Sequence, residues 1–135
     1  MIQRMRYTNI YVPDQDRAID FYVHKLGFEL TGDTQLGNGF RWVTVKPQGQ
    51  TDLEIVLMKP LAGTRLQSED IDRIFELTAK GAFGAVFDTA DCQKTYDELS
   101  ACGVEFLSPP KEQFYGIEAM FKDPFGNWFS LTQRK

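Results

Sequence analysis

Residues 7–28 read YTNIYVPDQDRAIDFYVHKLGF, and residues 84–103 read GAVFDTADCQKTYDELSACG. Each opens as a short strand, passes through an aspartate suited to cap a helix, and closes on a glycine. In the first, Tyr7 to Val12 alternates until Pro13 ends it, and Asp14 stands at the N-cap with Asp16 also favourable in the first turn. Ala18, Ile19, Phe21, Tyr22 and Leu26 then recur at helical spacing until Gly27. In the second, Gly84 to Thr89 is the strand, Asp91 the cap, Tyr96 and Leu99 the apolar helix positions and Gly103 the stop. The caps stand 77 residues apart and the stops 76 apart. A near-constant offset marks a repeated supersecondary unit, which is firmer than any one strand assignment.

Working outward, Phe28 to Leu30 begins the next strand of the first unit. Phe40-Arg-Trp-Val-Thr-Val45 and Leu53-Glu-Ile-Val-Leu-Met58 follow, separated by Lys46-Pro-Gln-Gly-Gln50, which has hairpin chemistry. The second unit continues with Val104 to Leu107, a break at Pro109-Pro110, then Tyr115 to Phe121 and Asn127 to Gln133 across an Asp-Pro-Phe-Gly turn. Between the units, Gln67 to Lys80 reads as an amphipathic connecting helix with Ile71, Ile74, Phe75 and Leu77 on one side. The expected fold is α+β: two βαβββ modules, about 5–60 and about 83–134, joined by a helix at about 67–80 in one domain spanning 1–135. Neither module covers its strands alone, so a curved mixed sheet with helices outside and a cavity on the inner face is expected.

Composition narrows the function classes. With 135 residues, 42% apolar and 25% charged, the chain can bury a core without disulfide or metal staples. Its net charge of -4, with 15 scattered Lys and Arg, argues against a nucleic-acid partner. Cys92 and Cys102 lie ten positions apart in one expected helix, roughly 15 Å at ~1.5 Å per residue, too far for a disulfide. Free thiols, no signal peptide and no membrane-spanning run point to the cytoplasm and to no membrane partner. The only histidine, His24, falls near the end of the first helix, on the outside of the sheet. No phosphate loop, dinucleotide fingerprint or CxxC occurs, and Ser130 has no histidine to serve as its base.

Ile10-Tyr-Val-Pro-Asp14 leading to Ala18, Phe21-Tyr22 and Leu26-Gly-Phe28, then Phe87-Asp-Thr-Ala-Asp91, then Phe121-Lys-Asp-Pro-Phe-Gly-Asn127 carry a resemblance over nearly the whole chain. In this order and spacing the chain resembles the vicinal oxygen chelate superfamily, which includes glyoxalase I, bleomycin-resistance proteins, extradiol dioxygenases and fosfomycin-resistance enzymes. Metal-binding members place His, Gln or Glu on the first strand, Glu on the fourth, His on the fifth and Glu on the eighth. Carried over by distance from the shared motifs, those positions hold Tyr7, Val56, Gly84 and Ser130. A Lewis-acid site needs several His or carboxylate donors converging on one ion, so the resemblance implies a family metal site lost here and no metal cofactor.

Alternation from these four positions puts Tyr7, Asn9 and Tyr11, then Asp52, Glu54, Val56 and Met58, then Gly84, Val86 and Asp88, then Trp128, Ser130 and Thr132 on the inner face. Phe40, Trp42 and Thr44 face the same way on the third strand, the facing of Arg41 is open, and Glu118 is placed there without a fixed parity. The candidate ligand-binding set is therefore Tyr7, Asn9, Tyr11, Trp42, Glu54, Val56, Gly84, Glu118, Trp128 and Ser130. Aromatics there suit a planar or cationic ligand, with Gly84 leaving room, and equally suit ordinary core filling. Glu54 is the acid/base candidate, since a carboxylate among aromatics suits proton transfer near neutral pH. It also suits a solvated strand end or a pairing with Arg41. Three readings stand: a metal-free protein binding a small organic ligand, implied by resemblance to act as a homodimer; a metal-dependent lyase or dioxygenase using Glu54 and Glu118 with a divalent metal; or a non-catalytic interaction module with a filled cavity.

Overall fold

A computed structural model describes residues 1–135. It divides into two compact units, Met1–Glu76 and Leu77–Lys135, here module 1 and module 2. Module 1 runs β1 (Tyr7–Tyr11), α1 (Gln15–Ile19, widening into a π-helical turn over Asp20–Lys25), β2 (Glu29–Gly37), β3 (Phe40–Lys46) and β4 (Glu54–Met58). Helix α2 (Ser68–Ala79) crosses the boundary. Module 2 repeats the order as β5 (Gly84–Asp88), α3 (Cys92–Ala101), β6 (Glu105–Gln113), β7 (Gly116–Lys122) and β8 (Trp128–Arg134). Each module forms a four-stranded mixed sheet, β1-β4-β3-β2 and β5-β8-β7-β6. The fold is α+β, two βαβββ modules, as the repeat implies.

The local signals of the repeat act as expected. Asp14 accepts a hydrogen bond from the Arg17 backbone N–H at 3.0 Å, and Asp91 accepts one from Lys94 at 3.0 Å. Each satisfies a backbone donor that a helix start leaves orphaned, worth about 1 kcal/mol. Gly27 and Gly103 hold φ of +76° and +89°, the left-handed turn that frees the chain into the next strand. The first residue after each cap then reaches into its own sheet. Gln15 Nε2 donates to the Leu57 and Arg41 carbonyls at 2.9 Å each, and Cys92 Sγ donates to the Leu131 carbonyl at 3.5 Å.

The parallel registers Tyr7↔Glu54, Thr8↔Ile55 and Asn9↔Val56, and in module 2 Gly84↔Trp128, Ala85↔Phe129 and Val86↔Ser130, set partners on the same side of each sheet. In module 1 the helix and its π-helical turn bury Ala18, Phe21 and Tyr22, and Val12, Val43, Val45, Ile55 and Leu57 are buried with them. Under α3, Phe121 and Phe129 meet at 5.3 Å between ring centroids, and Phe87 and Phe106 join them. Burial of each such ring contributes roughly 1.5–3 kcal/mol, so the helix-facing sides carry the cores.

Four details add to or depart from expectation. Strand β2 runs to Gly37, because Asn38 and Gly39, at φ +54° and +78°, make the two-residue turn that joins it to β3. The Pro109-Pro110 pair does not break β6: it is an edge strand, its pairing shifts register between Ser108 and Lys111, and prolines are tolerated where no donor is required. On α2 the inward stripe is Ile71, Ile74, Phe75 and Thr78, with Thr78 buried and Leu77 47% exposed. Position 78 lies seven residues from Ile71 and so on the same stripe, whereas position 77 lies well round the helix. Arg41 points to the helix side, where it holds Asp33 and Asp16 at 2.8 Å, so it is not the partner of Glu54.

Candidate functional site

Each sheet presents a second face, opposite its helix, and the sequence-derived residues collect there in two sets. On module 1, Tyr7, Asn9 and Tyr11 of β1 lie beside Glu54, Val56 and Met58 of β4, and β3 brings Thr44 opposite Val56. Tyr7 and Trp42 meet edge to face at 5.3 Å, and the Arg6 guanidinium stands 5.4 Å from the Tyr7 ring. Val56 is 1% exposed and so belongs to the floor itself, not to its solvent surface. Glu54 begins β4, half-buried, and its backbone N–H donates to the Arg6 carbonyl at 3.0 Å.

Module 2 holds the more organised polar group. Antiparallel pairing sets Glu118 of β7 opposite Thr132 of β8, and Met120 opposite Ser130, which places Glu118 on the floor beside Ser130. Ser130 donates its hydroxyl to Glu118 Oε2, and Tyr115 donates its own to Oε1 at 2.6 Å. Ser130 has one proton to give, so in its 2.8 Å bond with Thr132 it is the acceptor. Both carboxylate oxygens are thus held by hydroxyls. The Tyr115 phenol is pushed above its ordinary range, first by its hydrogen bond to Glu118, then by burial and by the carboxylate charge. Ser130 is only 4% exposed, so this network forms the base of a recess of about 430 Å³ whose rim includes Val86, Arg134 and Lys135. Arg134 is turned to Asp88 at 3.0 Å.

Gly84 does not leave open room. A Cβ built on it would overlap the Cε2 and Cδ2 atoms of the Trp128 indole and crowd the Trp128 carbonyl oxygen at 2.6 Å. The glycine is required because its register partner lies across it. Four sequence-derived residues, Gly84, Glu118, Trp128 and Ser130, therefore share the floor side of module 2, and Tyr7, Asn9, Tyr11, Trp42, Glu54 and Val56 that of module 1. Sequence reasoning missed Tyr115 as a site residue; its place beside Gly116, at the tip of the β6–β7 hairpin, was the available signal.

The family model of the Glyoxalase/Bleomycin resistance protein/Dioxygenase superfamily matches residues 4–131. The chain belongs to this superfamily. Among solved structures it is similar to UcmS2, with a TM-score of 0.91 and 38% identity over 98% of this chain and 99% of that one. It is also similar to TnmS3, an antibiotic binding protein from Streptomyces sp. CB03234, with a TM-score of 0.77 and 31% identity over 99% and 98% of the two chains. An uncharacterised protein of Shewanella frigidimarina is 35% identical over 98% of this chain and 95% of its own length.

The four positions to which the resemblance carries the family's metal ligands do not offer the donors a divalent metal needs. Tyr7, Val56, Gly84 and Ser130 offer two neutral hydroxyls and no imidazole or carboxylate, and the Gly84 position is overlain by an indole. Nowhere does the structure gather three or more His, Cys, Asp or Glu side chains as a metal group would need. His24 is exposed on the π-helical turn after α1. No helix is long and apolar enough to cross a membrane.

Proposed function

We propose that this superfamily member is a metal-free binder of a small organic ligand, held on the floors of its sheets, and that it works as a homodimer in the cytoplasm without nucleic-acid or membrane partners. The observation that carries the reading is a hydroxyl network: Ser130, at the position to which the resemblance carries the eighth-strand metal ligand, donates to a carboxylate that arrives from the neighbouring strand. Such a floor recognises hydrogen-bonding groups on a ligand without an ion to bridge them. Binding of an antibiotic by TnmS3, at 31% identity, supports sequestration as the mode of action. One feature supports a second copy: β5 is an edge strand of its sheet.

Protein purified from cultures supplied with Ni, Zn, Mn and Fe, then screened by thermal shift against aromatic and cationic compounds with and without chelator, tests this. Saturable stabilisation that chelator leaves unchanged is expected. Stabilisation that requires stoichiometric metal would overturn it, and sedimentation as a monomer at micromolar concentration would overturn the dimer.

A second reading is favoured by one observation. Glu118, not Glu54, is the carboxylate held in a fixed pose, with Tyr115 on one oxygen and Ser130 on the other. If a reaction occurs, Glu118 is its acid/base group, acting on a proton within hydrogen-bond reach. Turnover abolished by Glu118→Gln and unaffected by Glu54→Gln would support that reading.

A further inference from the structure

Module 1 has a recess of its own, about 640 Å³, at the C-terminal ends of β1 and β4. Its floor is Tyr11, Phe40 and Met58, and its wall is the loop after β4, which turns Leu61 and Leu66 toward it. The loop has a defined shape. The Gly63 backbone N–H donates to the Leu66 carbonyl at 2.8 Å, Gln67 Nε2 donates to the Gly63 carbonyl at 3.3 Å, and the Gln67 N–H is capped by Asp70 at 2.8 Å.

One charged side chain lines this recess, Arg65. Arg41 and Arg134 are committed to aspartates, whereas Arg65 enters no hydrogen bond or ion pair. A mostly apolar wall of this volume fits a drug-sized or smaller ligand, and the aromatic rings of Tyr11 and Phe40 favour a flat one. An unpaired guanidinium offers five donors in a planar fork that matches a carboxylate. No carboxylate in the lining competes for it.

We propose that this recess binds a planar aromatic acid, its rings against Tyr11, Phe40 and Met58 and its carboxylate on Arg65. The inference rests on the small-molecule reading and adds to it a ligand class and a second place of binding, distinct in its residues from the Glu118 floor. Charge opposes the two: Arg65 favours an acid, while Glu118 does not.

Three naphthalenes of one shape provide the test, by isothermal titration into the full chain: 2-naphthoate, 2-naphthylmethanol and 2-naphthylmethylammonium. The acid is expected to bind about five- to tenfold more tightly than the alcohol, the increment of one charge-assisted pair at a partly open site, and the ammonium most weakly. Arg65→Gln should erase the preference for the acid and leave the alcohol unchanged. Leu66→Asn, which removes apolar wall without adding charge, should weaken all three, with circular dichroism confirming that both variants fold. A preference for the ammonium, or a preference for the acid that survives Arg65→Gln, overturns the inference. Binding that Ser130→Ala weakens and Arg65→Gln does not overturns it too, and leaves the small-molecule reading standing. No binding of any of the three overturns both.

Discussion

The two modules share a frame and differ on one face. Each begins a helix with an aspartate cap, ends it with a left-handed glycine, and ties the residue after the cap to a carbonyl of its last strand, Gln15 to Leu57 and Cys92 to Leu131. On the opposite faces the likeness ends. Module 1 shows aromatics and a buried valine; module 2 shows a carboxylate clasped by hydroxyls and a glycine covered by tryptophan. The difference teaches that the helix-facing side carries folding, where close packing punishes change, while the floor is free to exchange one chemistry for another.

If that division is right, the largest losses come from the helix side. Phe121→Ala, which removes the ring at the centre of the module 2 cluster, is expected to cost about 3–5 kcal/mol in chemical denaturation. A loss below about 1 kcal/mol would mean that this cluster is not the core. Gly84→His sharpens the contrast from the floor. The imidazole must displace the Trp128 indole, at about 1–3 kcal/mol, and a single added histidine should not bring tight Zn binding.

Smaller effects test whether the shared devices are equivalent. Asp14→Ala and Asp91→Ala should each cost about 1 kcal/mol, and a wide gap between them would break the symmetry of the frame. The smallest concern protons. Asp33 is held below the usual carboxylate range, first by its hydrogen bonds from Arg41, so its contribution is complete above the ordinary aspartate value and is lost as pH falls through the lowered one. Arg41→Ala should therefore flatten acid unfolding in that low window. Tyr115 shifts the other way: its contribution is complete below the ordinary phenol value and is lost as pH rises through the raised one. Absorbance titration of phenolate should show one tyrosine ionising late, and Glu118→Gln should return it to the ordinary range.

Most of the frame was legible because it rests on local rules. Aspartate caps, glycine stops and strand alternation act over a few residues, and they reappeared at the same spacing in both halves. Parity transferred directly to the floor, so Ser130, Val56 and Gly84 fell on the face expected of them. What was missed depended on pairing across strands. The prolines of β6 read as a break because an edge position cannot be told from the segment alone. The parity of Glu118 is not readable from its own segment because its facing is set by the β7–β8 register, and only that register brings it to Ser130. Arg65 and its loop gave no periodic signal at all, since a loop wall takes its meaning from the strands it covers.

The central claim is that the hydroxyl floor stands in place of a metal site. Elemental analysis of the purified protein after incubation with Ni, Zn, Mn and Fe and removal of unbound ion tests it most directly. The account predicts substoichiometric metal in every case, unchanged by Ser130→Ala. One tightly held ion per chain, lost in Ser130→Ala or Glu118→Gln, would contradict it.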